Sequence, residues 1–161
     1  MKHLVIIRHA KSSWGNALLE DFDRPLNDRG KRDAPIMAKR LLEKKLSPDL
    51  LITSPAKRAV ATCNEFAEVF DVEKNKIKKE PQLYHASEST ILKIVNNLDD
   101  TYNVVFLFGH NPGLTDFVND ISNLVIGNIP TTGIVVLEIS SWKKLGKEKA
   151  KAICFDYPGN E

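Results

Sequence analysis

Two histidines and two arginines carry the chemistry this chain can do. Arg8 and His9 directly follow an apolar run, Arg58 lies shortly after another, and His110 follows Gly109 at the end of a further one. One histidine at a strand end is usually a satisfied polar residue, and one arginine is usually a surface cation. Arg8 fits that description poorly, because a guanidinium directly after a buried strand is drawn inward and needs an anionic partner. Together, and with no carboxylate among them, these side chains make a site for an anion. Phosphate is the natural candidate, since the guanidinium fork matches its oxygens bidentately.

The elements that must position these residues follow from apolar periodicity. Leu4 to Ile7 is a continuous apolar run and reads as a strand buried on both faces. Lys11 to Asn27 is polar and reads as a loop. From about Asp28 to Lys45, Ile36, Met37, Leu41 and Leu42 fall at helical spacing, and Pro35 predicts that the regular helix begins there. Asp49 to Thr53 is a second buried strand. Ser54 and Pro55 then predict an N-cap and first helical position for a helix bearing Ala59, Val60, Cys63, Phe66, Ala67 and Phe70. Lys76 to Glu80 is read as a short strand, and Ser87 as the cap of a helix bearing Ile91, Leu92, Val95 and Leu98. Val104 to Phe108 is another apolar strand, Gly109 to Gly113 a turn, and Leu114, Phe117, Val118 and Ile121 mark the next helix. Ile134 to Ile139 and Ala152 to Tyr157 predict an antiparallel hairpin at the sheet edge, joined by a Lys-rich turn around Gly146.

Strands alternating with amphipathic helices predict an α/β fold. The expected form is three layers, α/β/α, with a mostly parallel central sheet and an antiparallel edge strand near the C-terminus. Open sheets of this kind bind ligands outside the carboxyl ends of their strands. Arg8-His9, Ser54 with Arg58, and Gly109-His110 all sit at such ends, so they are expected to meet on one edge. The helix after Ser54 turns its positive N-terminal end toward the same edge, which favours a phosphoryl group.

At 161 residues the chain is expected to form a single domain, 1–161. It is long enough to bury a core without a metal or disulfide staple. With 42% hydrophobic and 27% charged residues, the composition is ordinary for a globular protein. A net charge of +2 gives no reason to expect nucleic acid or a membrane as partner, and Lys143 to Lys151 reads as a solvated hairpin. Two cysteines, Cys63 and Cys154, stand far apart without a CxxC pattern, so neither a disulfide framework nor a zinc site is expected and a reducing cytoplasm fits. No secretory signal is read, and no run approaches the roughly 20 apolar residues that span a bilayer.

Three blocks of the sequence resemble a known family. Leu4-Val-Ile-Ile-Arg-His-Ala-Lys-Ser-Ser-Trp14 resembles the Arg-His-Gly signature of the histidine phosphatase superfamily, which has the phosphoglycerate mutase-like fold. Ser54-Pro-Ala-Lys-Arg-Ala-Val-Ala-Thr62 resembles its second block, and Val105-Phe-Leu-Phe-Gly-His-Asn-Pro-Gly113 its third. The chain's compactness, Asp23-Arg-Pro-Leu-Asn-Asp-Arg-Gly30 and Leu83-Tyr-His-Ala-Ser87 are similar to the SixA-type phosphohistidine phosphatases, which lack lid insertions. The resemblance implies that His9 is the nucleophile and that Arg8, Arg58 and His110 form the phosphate pocket. Ser12 adds a hydrogen bond to the phosphate, and no metal or other cofactor takes part. Ala10 departs from the pattern, since many members have Gly there; Ala serves if the backbone needs no positive φ.

The implied activity is removal of phosphate from phosphohistidine on a partner protein, through a phosphohistidine intermediate. An ester leaving group needs a proton donor. Acid phosphatases of the superfamily have Asp after the second histidine, but this chain has Asn111. Glu88, Asp21 and Asp23 are the remaining candidates for an acid. A P–N bond needs that help less, which favours a phosphohistidine substrate. The competing readings are a phosphatase for a small phosphorylated metabolite or phosphopeptide, and a non-catalytic phosphate-binding module.

Overall fold

The computed structural model describes residues 1–160. Its elements run β1 (Lys2–Arg8), α1 (Asp28–Leu42), β2 (Leu50–Thr53), α2 (Lys57–Val69), β3 (Ile77–Lys79), α3 (Glu88–Asn96), β4 (Val104–Gly109), α4 (Gly113–Ile121), β5 (Ile134–Ile139) and β6 (Lys151–Asp156). They form a six-stranded sheet in the order β3-β2-β4-β1-β5-β6. The first four strands of that order are parallel; β5 runs antiparallel to β1 and pairs antiparallel with the edge strand β6.

Alternation along each strand builds the layers. Val5, Ile7, Leu51, Phe106 and Phe108 face one way and pack against Met37, Ala38 and Leu41 of α1 and Cys63, Phe66 and Ala67 of α2. Leu4, Ile6, Ile52, Val105 and Leu107 face the other way, against Ile91 and Val95 of α3 and Leu114, Phe117, Val118 and Ile121 of α4. The central strands are apolar on both faces because helices cover both.

Two helix starts differ from the sequence reading. α1 begins at Asp28, not Pro35, because the Asn27 side chain caps it by accepting the Gly30 N–H at 2.9 Å. Pro35 stands inside the helix, carried by the buried face of Ala34, Met37, Ala38 and Leu41. α2 begins at Lys57 with Ala56 as its cap residue, so Ser54 is not the N-cap. Ser54 stays with the sheet instead: its N–H donates to the Phe108 carbonyl at 3.0 Å. Ser87 does cap α3, accepting from the Thr90 N–H. No helix among the described residues is long and apolar enough to cross a membrane.

Candidate active site

Strand register brings the sequence-predicted side chains to one edge. Arg8 is paired with Gly109 across β1 and β4, and Thr53 with Phe108 across β2 and β4. The residues one step further on, His9, Ser54 and His110, therefore leave the sheet side by side. The rings of His9 and His110 lie 5.1 Å apart between centroids. Arg58 stands in the first turn of α2 and is buried, although it is charged. The N-terminus of α2 carries no side-chain cap, which leaves its positive end open to an anion.

The loop after His9 is fixed from behind. The His9 N–H donates to the Gly109 carbonyl at 3.1 Å, and the Ala10 N–H donates to Thr62 Oγ1 at 2.9 Å. Thr62 in turn donates to the Arg58 carbonyl at 2.8 Å, so one α2 hydroxyl ties the loop to the helix that carries Arg58. Ala10 is fully buried and is not among the residues with positive φ, so an alanine sits there without backbone strain.

His9 is held in one ring orientation. Its Nδ1 lies 2.8 Å from the Ala10 carbonyl, which can only accept, so Nδ1 carries the proton and Nε2 is left bare. Burial pushes the His9 pKa down to about 4; the Ala10 contact opposes this, and the charges of Arg58, Arg8 and Arg24 add to it. Burial, with His9 and Arg58 beside it, pushes His110 down to about 3. Both rings are neutral at pH 7.

Several buried polar atoms here have no partner among the described residues: Arg8 Nε, Arg58 Nε, His110 Nδ1 and Thr132 Oγ1. A buried donor without a partner is costly. The other ends of both arginines are anchored. Arg8 Nη1 donates to the Ile129 carbonyl at 2.9 Å, and Arg58 donates to Asp21 twice, to its carbonyl at 2.7 Å and its carboxylate at 3.0 Å. Two arginine Nε–H groups and Nδ1 of His110 thus remain unspent, and the charges of both arginines act on His9, a set of groups that suits a tetrahedral anion.

Among the acid candidates, Asp21 is the one whose carboxyl its neighbours hold ionised. The Tyr84 hydroxyl at 2.6 Å, together with Arg58 and Arg24, holds its carboxyl at about 2. Asp23 is exposed and lines a separate surface cleft with Phe22, Pro55, Lys57 and Lys79. Glu88 is exposed at the head of α3 and lines a cleft of about 410 Å³ with His85, His110, Asn111 and Asp116. Asn111 is committed to structure: its amide donates to Asn128 and to the Ile129 carbonyl, while its oxygen accepts from Thr115. Ser12 is buried, and its hydroxyl oxygen accepts from Arg24.

Sequence reasoning missed Arg24, Tyr84 and Thr132. Arg24 links Ser12, the Ser13 carbonyl and Asp21, and its guanidinium lies 3.3 Å from the centroid of the Trp14 ring. The signal for it was present, an arginine three residues after an aspartate in a stretch already singled out by resemblance. Thr132 is fully buried at φ 60°, with its N–H bonded to the carbonyls of Arg8 and His9; nothing in its local sequence marks it.

The family model of the histidine phosphatase superfamily (branch 1) matches residues 4–85, half of the chain. The chain belongs to that superfamily. Phosphoryl hydrolysis is therefore its class of activity, and its architecture is of the SixA type. SixA from Agrobacterium tumefaciens superposes with a TM-score of 0.85 at 26% identity, over 98% of this chain and 99% of that one. A protein histidine phosphatase SixA solved with tungstate superposes with a TM-score of 0.79 at 18% identity, over 96% and 94% of the two chains. An uncharacterized chloroplastic protein of Arabidopsis thaliana is 27% identical over 153 residues, 89% of this chain and 70% of the relative.

Proposed function

We propose that this histidine phosphatase works without a metal ion, through a phosphohistidine on His9, and that it removes phosphate from phosphohistidine on a partner protein in the cytoplasm. The carrying observation is the His9 ring. Its Nδ1 faces the Ala10 carbonyl, which leaves Nε2 bare; the His110 ring lies 5.1 Å away, and Arg8 Nε, Arg58 Nε and His110 Nδ1 have no partner among the described residues, which supports an anion site. Nε2 attacks phosphorus in line as the bond to the leaving group breaks. Arg8, Arg58 and neutral His110 hold the equatorial oxygens, and Ser12 adds a hydrogen bond. Water then hydrolyses the P–N bond to His9 and releases inorganic phosphate. This reading takes residues 1–161 as one catalytic domain, which accords with a single sheet drawing strands from Lys2 to Asp156.

The substrate follows from what stands beside the leaving group. Asn111 cannot donate a proton as an acid, and Asp21 is held ionised. Imidazole departs from phosphorus more easily than an alkoxide does, so phosphohistidine suits this site. The likeness to a protein histidine phosphatase SixA supports the same substrate. A second reading, hydrolysis of a small phosphorylated metabolite or phosphopeptide, draws on Glu88 and Asp116, which line the cleft next to His110.

The test compares a phosphohistidine-bearing protein with p-nitrophenyl phosphate and a sugar phosphate, all in EDTA. Turnover of the phosphohistidine protein well above both esters is expected. A higher rate on the sugar phosphate selects the second reading, and full loss of activity in EDTA removes the metal-free mechanism.

A further inference from the structure

The structure treats the two nitrogens of the His110 ring differently. Nε2 lies 2.7 Å from Ser54 Oγ, whereas Nδ1 is buried and meets no protein partner. Ser54 is fully buried just beyond the end of β2, and its oxygen accepts the Ala56 N–H at 3.3 Å. That leaves the hydroxyl proton in need of an acceptor, and an unprotonated imidazole nitrogen supplies one. The pairing is built into the sheet. Ser54 donates its N–H to Phe108, and Phe108 lies two residues before His110 on the neighbouring strand, so the register of β2 and β4 sets the contact.

We infer that Ser54 is a positioning residue: its hydroxyl donates to Nε2 of His110 and thereby keeps the single ring proton on Nδ1, directed at a phosphoryl oxygen. The inference rests on the phosphatase reading above. A neutral imidazole has one proton to give, so its location decides whether the ring attracts or repels an anion. With the proton on Nδ1, the ring donates to the oxyanion. With the proton on Nε2, a lone pair faces oxygens that already carry negative charge. Burial beside Arg58 keeps His110 neutral, so protonating both nitrogens offers no way around this choice. The serine thus does for His110 what the Ala10 carbonyl does for His9: each fixes the Nδ1–H tautomer, leaving Nε2 of His9 without a partner and Nε2 of His110 engaged by the hydroxyl.

The test reads the tautomer directly, by ¹⁵N NMR of the histidine side chains near pH 7 with vanadate bound. His110→Asn identifies the signal. The expected wild-type spectrum has protonated Nδ1 and bare Nε2 on His110. Ser54→Ala is expected to show a mixture of tautomers and a kcat/KM lower by about 10- to 100-fold, the range that follows loss of an outer partner of a functional histidine. Ser54→Thr, which keeps the hydroxyl, should restore both. Protonated Nε2 in the wild type overturns the inference, as does Ser54→Ala with unchanged tautomer and a rate within threefold of wild type. If wild type hydrolyses neither phosphoramidate nor ester yet shows protonated Nδ1, the proposed function fails and the role of Ser54 stands.

Discussion

Arg58 is gripped from behind by Asp21: one terminal nitrogen donates to the aspartate's backbone carbonyl at 2.7 Å and the other to its carboxylate at 3.0 Å. The same carboxylate accepts from Tyr84 and Arg24. A short turn after β1 therefore orients a cation on α2, and only Arg58 Nε remains without a partner.

Asp21→Asn keeps the size of the side chain and removes its charge. The hydrogen bond to a charged group that it weakens is worth about 1.5–3 kcal/mol when buried, and Asp21 is partly exposed. A fall in kcat/KM of about tenfold is expected, with folding retained. Steady-state kinetics with a phosphohistidine protein checks it; an unchanged rate means that Arg58 needs no brace.

His9→Ala should reduce turnover to background, because the unprotonated nitrogen of the other ring, Nε2 of His110, is engaged by Ser54. In the wild type, rapid quench with labelled substrate should trap a covalent phosphate that is lost in acid and kept in base. An acid-stable adduct points to a serine or threonine carrier instead.

Arg58→Ala is expected to lower kcat by about 10²–10³-fold, the loss typical of removing one donor to a developing oxyanion. Arg58→Lys should rescue little of it, since a point charge cannot both reach Asp21 and present a fixed N–H to phosphate. A decrease of less than threefold in Arg58→Ala would place this arginine outside the chemistry.

Stability should depend on the two buried rings. His9 at about 4 and His110 at about 3 lie below the 6.5 of an unburied histidine. Between those values the unfolded chain binds protons that the folded protein refuses, so stability falls as pH drops from about 6.5 toward 4. The slope is at most about 1.4 kcal/mol per pH unit for each ring. Asp21 acts in the same direction at lower pH: the stability it adds is present above 3.8 and is lost as pH falls toward 2. Urea denaturation across this range should show the decline, and a His9→Gln, His110→Gln double variant should flatten it. A level wild-type curve would mean that the rings are not buried neutral.

Gly30 in the first turn of α1 is a structural test of the loop that follows His9. A Cβ there would come within 2.1 Å of the Lys11 backbone carbonyl, an atom that cannot move away alone. Gly30→Ala should destabilise by about 1–3 kcal/mol and also raise KM, since it displaces the chain next to Ser12. Phe66→Ala, in the core between α2 and the sheet, should cost about 3–5 kcal/mol and leave KM alone. Thermal melts and kinetics on both variants separate the two effects.

The sequence alone determined the order of strands and helices, because Leu4 to Ile7, Leu50 to Ile52 and Val104 to Phe108 are apolar runs that only a doubly covered sheet can bury. It also marked His9, Arg8, Arg58 and His110, since strand ends of an open sheet are where ligands bind. Local cues were less reliable at the boundaries. Pro35 and Ser54 both carry helix-start propensity, yet an asparagine cap and a sheet hydrogen bond decided otherwise. Tertiary structure alone decided which atoms remain unspent. That Asp21 braces Arg58 across 37 positions, or that Ser54 meets His110 across 56, depends on strand order and register rather than on spacing. Such pairings form only when the sheet closes, and they determine whether charged and polar groups are consumed by the protein or left for a ligand.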